Sequence, residues 1–207
     1  MDTQTDILRR GLDAAWQAVL GASAIADLHL GPRQITRSAA RRISGRLRQI
    51  ETIVRRLILV LALQVRLKPA SPRPAATVTC PDMAAAPDDI TVAEFPRLSR
   101  RRLKLLPARR RFEAAPEFPA PGLRPTGPVS PLELMARIAA LHTVISDPDA
   151  HALRLARSLR RMRKSGEPRP VIAPVESAYR LSPELGAIAT LLPTQIHAAF
   201  DTWERSG

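Results

Sequence analysis

The fold is decided by one long stretch, residues 38–67, which reads SAARRISGRLRQIETIVRRLILVLALQVRL. Apolar side chains recur in it every three or four residues, so on a helix they fall within one arc about 100° wide. The residues of this arc are Ile43, Leu47, Ile50, Val54, Leu57, Ile58, Leu61 and Val65. A helix of this length, roughly 45 Å, needs other helices to pack against its apolar side. These helices can come from the same chain or from a second copy, so a homodimer through residues 38–67 is one interpretation.

After Arg56 the stretch becomes apolar on all sides, and such a turn must be buried in protein or in lipid. The run is short, because a helix that crosses a bilayer needs about 20 apolar residues. Two interpretations follow: a core or dimer helix, or a segment that lies in a membrane interface. The candidate contact residues are Leu57, Leu59, Leu61 and Leu63. Burial of Leu59 and Leu63 in a protein core would remove the main support for membrane contact.

The chain is strongly basic, with 32 Lys and Arg against 19 Asp and Glu and a formal net charge of +13. The cations are clustered: Glu51 is the only acid in residues 33–73, and residues 97–111 and 154–164 contain none. Such clusters favour a polyanionic partner, either nucleic acid, acidic lipid or an acidic protein surface. Arginine far outnumbers lysine, which is typical of a GC-rich coding sequence and suggests a bacterial source. That bias does not explain the clustering.

The candidate polyanion-binding residues come from the three clusters. They are Arg41, Arg48, Arg55, Arg101, Arg102, Arg109, Arg110, Arg154, Arg157 and Arg161. Aromatic residues make up only 3% of the chain, whereas proteins that bind RNA or single strands usually stack bases on aromatic side chains. We therefore expect contacts with the phosphate backbone, and DNA is one candidate ligand.

Proline divides the chain into three parts, because twelve of the 20 prolines lie in residues 69–128. Proline interrupts helices and central strands. We predict a mainly α protein with a helical hairpin at 1–68, a largely disordered Pro/Ala/Arg-rich linker at 69–130, and a small helical bundle at 131–207. The first helix is expected near residues 4–29, and an edge strand within the linker could form at 90–95.

The C-terminal part has clear helix starts at Ser130, Asp147 and Ser182, each followed by proline. We predict four helices there, the last beginning after Pro193. The helix over 148–165 has one arginine-rich side. Only Asp147 and Pro148 separate this helix from the one before it. Such a short turn suits an antiparallel helical hairpin as well as the turn before the recognition helix of a helix-turn-helix module.

No pattern in the sequence predicts catalysis. Cys80 is the only cysteine, which excludes an intramolecular disulfide and a multi-cysteine zinc site. His142 and His151 lie near Asp147 and Asp149, but their spacing does not match a metal or acid–base motif. An enzyme would require a polar pocket around these two histidines.

We therefore predict a non-enzymatic interaction or regulatory protein, with no cofactor and no small-molecule substrate, that binds a polyanion through its arginines. The alternative is a peripheral membrane or scaffold protein that uses residues 38–67. The N-terminus has acidic Asp2 and Asp6 and no signal-peptide pattern. We expect a cytoplasmic protein, associated with the nucleoid or the inner membrane surface.

Overall fold

The computed structural model describes the backbone of residues 2–67, 127–170 and 181–205, with side chains from Asp6 onward, and the isolated residues Leu103, Leu105, Ile172 and Val175. The described residues form five α-helices and two short 3-10 turns, so the mainly α prediction is confirmed. The helices are α1 (Asp2–Ser23), α2 (Arg37–Gln64), α3 (Leu132–Ser146), α4 (Pro148–Lys164) and α5 (Pro183–Arg205). Most of the predicted linker, with the strand expected at 90–95, lies outside the described residues.

The helix α2 is the axis of the bundle, and each of the other four helices packs against it. It begins where the Thr36 hydroxyl accepts a hydrogen bond from the Ala39 N–H at 3.3 Å, which satisfies one of the free donors of the first turn. In its second half, residues such as Leu57, Ile58 and Val60 are fully buried. Because helices from both the N-terminal and the C-terminal part of the chain pack on α2, they share one core.

The connection between α1 and α2 differs from the prediction of a single helix near 4–29. The α-helix ends at Ser23, and the chain continues in 3-10 turns over Ala24–Ala26 and Leu28–Leu30. Asp27 and Gly31 both adopt left-handed backbone angles, with φ of 46° and 63°. A left-handed residue cannot continue an α-helix, so the reversal starts earlier than the sequence pattern indicates.

The last helix corrects another prediction, because α5 runs continuously from Pro183 to Arg205 with Pro193 inside it. An internal proline costs about 3 kcal/mol. The residues on both sides of it form one buried stripe, made of Leu185, Ala189, Leu192, Ile196 and Phe200. Each large side chain in such a stripe contributes roughly 1.5–3 kcal/mol, so burial of the whole stripe outweighs the cost of the proline.

The start of α3 is fixed to the N-terminal half of α2. Ile35 and Val129 form an antiparallel bridge with two backbone hydrogen bonds of 2.9 Å. One turn into α3, Arg137 donates to Glu51 at 2.7 Å and to Ser44 at 2.9 Å. These contacts place α3 along the side of α2 that carries Ser44 and Glu51.

Candidate polyanion-binding surfaces

The helix α4 has well-formed ends, which follow from its local sequence. The Asp147 side chain accepts a hydrogen bond from the Ala150 N–H at 3.2 Å, and Pro148 stands in the first turn. At the other end Gly166 is left-handed, with φ of 67°, and the Glu167 N–H bonds the Met162 carbonyl at 2.9 Å. This is a Schellman motif, which satisfies the last carbonyl groups of the helix.

Three arginines form an outward stripe on α4. Its buried residues Ala152, Leu155, Ala156 and Leu159 occupy one side of the helix. Arg154, Arg157 and Arg161 project from the opposite side and are exposed. None of the three forms an ion pair within the part of the chain that the structure describes. We call these three residues the α4 stripe; it extends over about 10 Å at 1.5 Å per residue.

Other basic residues near the end of α4 have structural partners. Arg163 donates to the carbonyls of Trp203 at 3.3 Å and Glu204 at 3.1 Å, and its guanidinium lies 4.9 Å from the centre of the Trp203 ring. These carbonyls end α5 and would otherwise lack helical donors. Arg169 forms ion pairs with Asp201 at 3.1 Å and with Glu204. Both arginines therefore hold α5 in place.

A second group of exposed arginines lies on the first half of α2. It contains Arg41, Arg42, Arg46 and Arg48, and none of them forms an ion pair among the described residues. Arg42 and Arg46 were not among the sequence candidates. On a helical wheel they lie about 100° and 140° from Arg41, outside the narrow arc that contains the predicted arginines of this helix.

Arg55, another predicted contact, occupies a different environment. It is half-buried and pairs with Glu51 at 3.3 Å, beside the Glu51–Arg137 pair. Burial lowers the pKa of Arg55; Glu51 opposes this effect and the nearby charge of Arg137 adds to it. Because its charge is already compensated, we leave Arg55 out of the candidate surface. The predicted contacts Arg101, Arg102, Arg109 and Arg110 lie outside the described residues.

The two histidines lie in different surroundings. His142 is exposed and its ring lies 5.0 Å from that of Trp16, whereas His151 is half-buried on α4. Burial, and next the charge of Arg154, lower the pKa of His151, while Asp147 acts in the opposite direction. In the described part of the chain no group of three or more His, Cys, Asp and Glu could hold a metal ion.

A polar groove of about 660 Å³ lies elsewhere, between α1, the middle of α2 and the start of α5. It is lined by side chains of both charges, including Arg10, Asp13, Arg46 and Glu184. Neither His142 nor His151 belongs to it. The groove therefore does not provide the site that an enzyme based on these histidines would require.

The leucines proposed for a membrane or partner are largely inside the bundle. Leu57 is fully buried, Leu59 and Leu63 are 7% and 8% exposed, and Leu61 is half-buried. An interfacial anchor needs exposed apolar side chains, so the membrane interpretation loses its main support. No helix among the described residues has the length and apolar content needed to cross a bilayer.

Among the described residues, the structure thus gives two groups of exposed arginines that form no ion pair, one on α2 and one on α4. Arg46 of the group on α2 also lines the groove. No protein-family model, no curated protein and no solved structure matches this chain. A functional assignment must therefore come from the chemistry of these surfaces.

Proposed function

We propose that this protein is a non-enzymatic polyanion-binding protein and that its ligand is nucleic acid, with double-stranded DNA preferred. The observation that carries the proposal is the α4 stripe, in which Arg154, Arg157 and Arg161 project side by side and have no acidic partner among the residues that the structure describes. Guanidinium groups bind phosphate oxygens through paired hydrogen bonds, which makes arginine well suited to a phosphate backbone.

The pairing of the acidic residues supports this proposal. Glu51, Asp201 and Glu204 form ion pairs with arginines that connect helices or stabilise helix ends. The arginines of the α4 stripe stand apart from these carboxylates. Cations without protein partners attract a phosphate polymer, and binding releases the counterions that surround that polymer.

The surroundings of the α4 stripe favour phosphate contacts over base stacking or lipid insertion. Trp16 and Trp203 are half-buried and Phe200 is buried, so none of these rings forms an open stacking platform. The large apolar side chains that the structure shows as exposed are Leu20, Leu30, Leu132 and Leu191, and all of them lie outside α2 and α4. A membrane-binding helix would place apolar residues beside its cations.

The test is the affinity for random-sequence duplex DNA, measured by fluorescence anisotropy at about 50 and 200 mM salt. Each phosphate contact contributes about 0.9 to the slope of log affinity against log salt. The triple variant R154Q/R157Q/R161Q should therefore lower the magnitude of this slope by about 2.7. Between the two salt concentrations, the variant should lose about 40-fold less affinity than the natural chain loses.

A matched control removes the same charge elsewhere. Arg9, Arg10 and Arg33 are exposed and lie outside the α4 stripe, so R9Q/R10Q/R33Q should reduce the slope much less. Absence of DNA binding by the natural chain at the lower salt concentration would refute the proposal. Equal slopes for the two triple variants would refute the role of α4. A DNA ligand in the cell would associate the protein with the nucleoid.

A further inference from the structure

We infer that the α4 stripe and the arginines on the first half of α2 lie on the same side of the bundle and form one continuous face. The partner that fits such a face is a nucleic acid duplex of about one helical turn or longer, rather than a short phosphate compound. This inference rests on the proposed function, because it assumes that the ligand is a polyanion. It adds the extent of the site and the minimum length of the ligand.

The two halves of α2 differ in exposure on one side. Residues 18 apart on an α-helix are separated by about five whole turns, so they point in the same direction. Arg41 and Arg42 are exposed, whereas Leu59 and Val60, each 18 residues further on, are buried. Gly45 and Leu63 show the same contrast. One side of α2 is therefore bare in its first half and covered in its second half.

The helices α1, α3 and α5 have contacts on other sides of α2. The α3 residue Arg137 bonds Ser44 and Glu51, which lie on a different side of α2 from Arg41 and Arg42. Gly11 of α1 lies close to Leu57 of α2 and Ile188 of α5. A Cβ atom added to Gly11 would lie 3.0 Å from Leu57 Cδ2 and 3.6 Å from Ile188 Cγ2. This places α1 and α5 against the side that carries Leu57.

The polar groove supports the same arrangement, since it joins α1 and the start of α5 to Arg46 and Ile50 of α2. The contacts cited for α1, α3 and α5 therefore lie on sides of α2 other than the one that changes from bare to covered. The remaining helix, α4, packs extensively on α2. We conclude that α4 covers Leu59, Val60 and Leu63.

The α4 stripe has a defined direction. Because Ala152, Leu155, Ala156 and Leu159 face inward, the α4 stripe points away from α2. It therefore points to the same side as Arg41 and Arg42. Arg48 lies two turns after Arg41, at the edge of this side next to Ser44, and we call Arg41, Arg42 and Arg48 the α2 group. Arg46 borders the polar groove and is not included.

The size of this face determines the ligand. The level of Leu59 lies about 27 Å along α2 from Arg41, at 1.5 Å per residue. A face with arginines at the level of Arg41 and at the level of Leu59, which α4 covers, is about as long as one turn of duplex DNA, roughly 34 Å. A short phosphate compound can contact only one group, whereas a longer duplex can contact both and gain affinity from their combination.

The experiment compares duplexes of about 6 and about 18 base pairs, roughly 20 and 60 Å long at 3.4 Å per base pair. Titrations of the full-length chain use anisotropy at two salt concentrations. The variants are R41Q/R42Q/R48Q, R154Q/R157Q/R161Q and the control R9Q/R10Q/R33Q. On the long duplex each of the first two variants should lower the salt slope by about 2.7. On the short duplex, R41Q/R42Q/R48Q should change affinity by only about twofold, because the α4 stripe still binds.

The outcomes separate the two proposals. Absence of binding at both lengths overturns the proposed function and this inference with it. Binding with a salt slope that is equal for the two lengths overturns this inference alone. Two long duplexes bound per chain, measured by sedimentation, would place the groups on different sides and would also overturn it. The length comparison on the natural chain keeps the test valid even if a variant fails to fold.

Discussion

Replacing Glu51 with glutamine should cause the bundle to unfold at a markedly lower denaturant concentration. Glu51 is 9% exposed, and its carboxylate lies 2.7 Å from Arg137 Nε and 3.3 Å from Arg55 Nη2. Removing one partner of a buried ion pair costs about 3–5 kcal/mol. Glutamine keeps one oxygen as an acceptor for Arg137, and the Arg55 side chain is 32% exposed, so water compensates part of the loss there. We expect E51Q to lower the free energy of unfolding by about 2–4 kcal/mol.

Urea unfolding followed by tryptophan fluorescence measures this change, because Trp16 and Trp203 are both half-buried. With a urea dependence of about 2 kcal/mol per M, the midpoint should fall by about 1–2 M. The matched control is the double variant E51L/R137M, which replaces the pair with apolar side chains of similar volume and should recover part of the loss, because Arg55 still lacks its carboxylate partner. A change below about 0.5 kcal/mol for E51Q would refute the reasoning, since surface substitutions have effects of that size.

Two further predictions concern α4 and α5. P193A should raise the thermal midpoint, by an amount equivalent to about 1–2 kcal/mol, because alanine restores a helical N–H and removes a steric clash; a lower midpoint in calorimetry would contradict a continuous α5. For His151, whose pKa is lowered by burial and then by Arg154, the neutral form is favoured in the folded chain. Its contribution to stability is present above the unfolded pKa of about 6.5 and is lost as pH falls through the folded pKa. Titration by NMR should show this lowered pKa and its increase when duplex DNA is added; an unchanged value would argue against phosphates along α4.

The sequence predicted the ends of α4 well because the signals are local. Asp147 with Pro148 starts this helix, and the Asp147 side-chain oxygen accepts a hydrogen bond from the Ala150 N–H three residues later. The prediction was wrong at Pro193, where the deciding factor is the burial of a stripe of side chains against other helices. Such burial depends on the tertiary arrangement, which a local helix-breaking rule does not include.

The candidate site could be predicted only in part for the same reason. Arg154, Arg157 and Arg161 stand on the polar side of a strongly amphipathic helix, so their exposure follows from spacing alone. The predicted set on α2 contains Arg55, which is half-buried and paired with Glu51, and does not contain the exposed Arg42, because a helical wheel does not show which half of α2 is covered. The point at which α2 changes from an exposed half to a covered half depends on where another helix packs against it.

The arginines of this protein therefore serve two separate purposes, and salt should affect them differently. The side chains of Arg137 and Glu51 are only 10% and 11% exposed, so their attraction is screened little by dissolved ions. Arg41 and Arg157 are exposed and have no acidic partner among the described residues, so any polyanion they hold competes directly with salt. High salt should thus release the ligand from a bundle that stays folded. A chain that lost ligand and structure together would instead use the same arginines for both purposes, which the ion pairs of Glu51, Asp201 and Glu204 argue against.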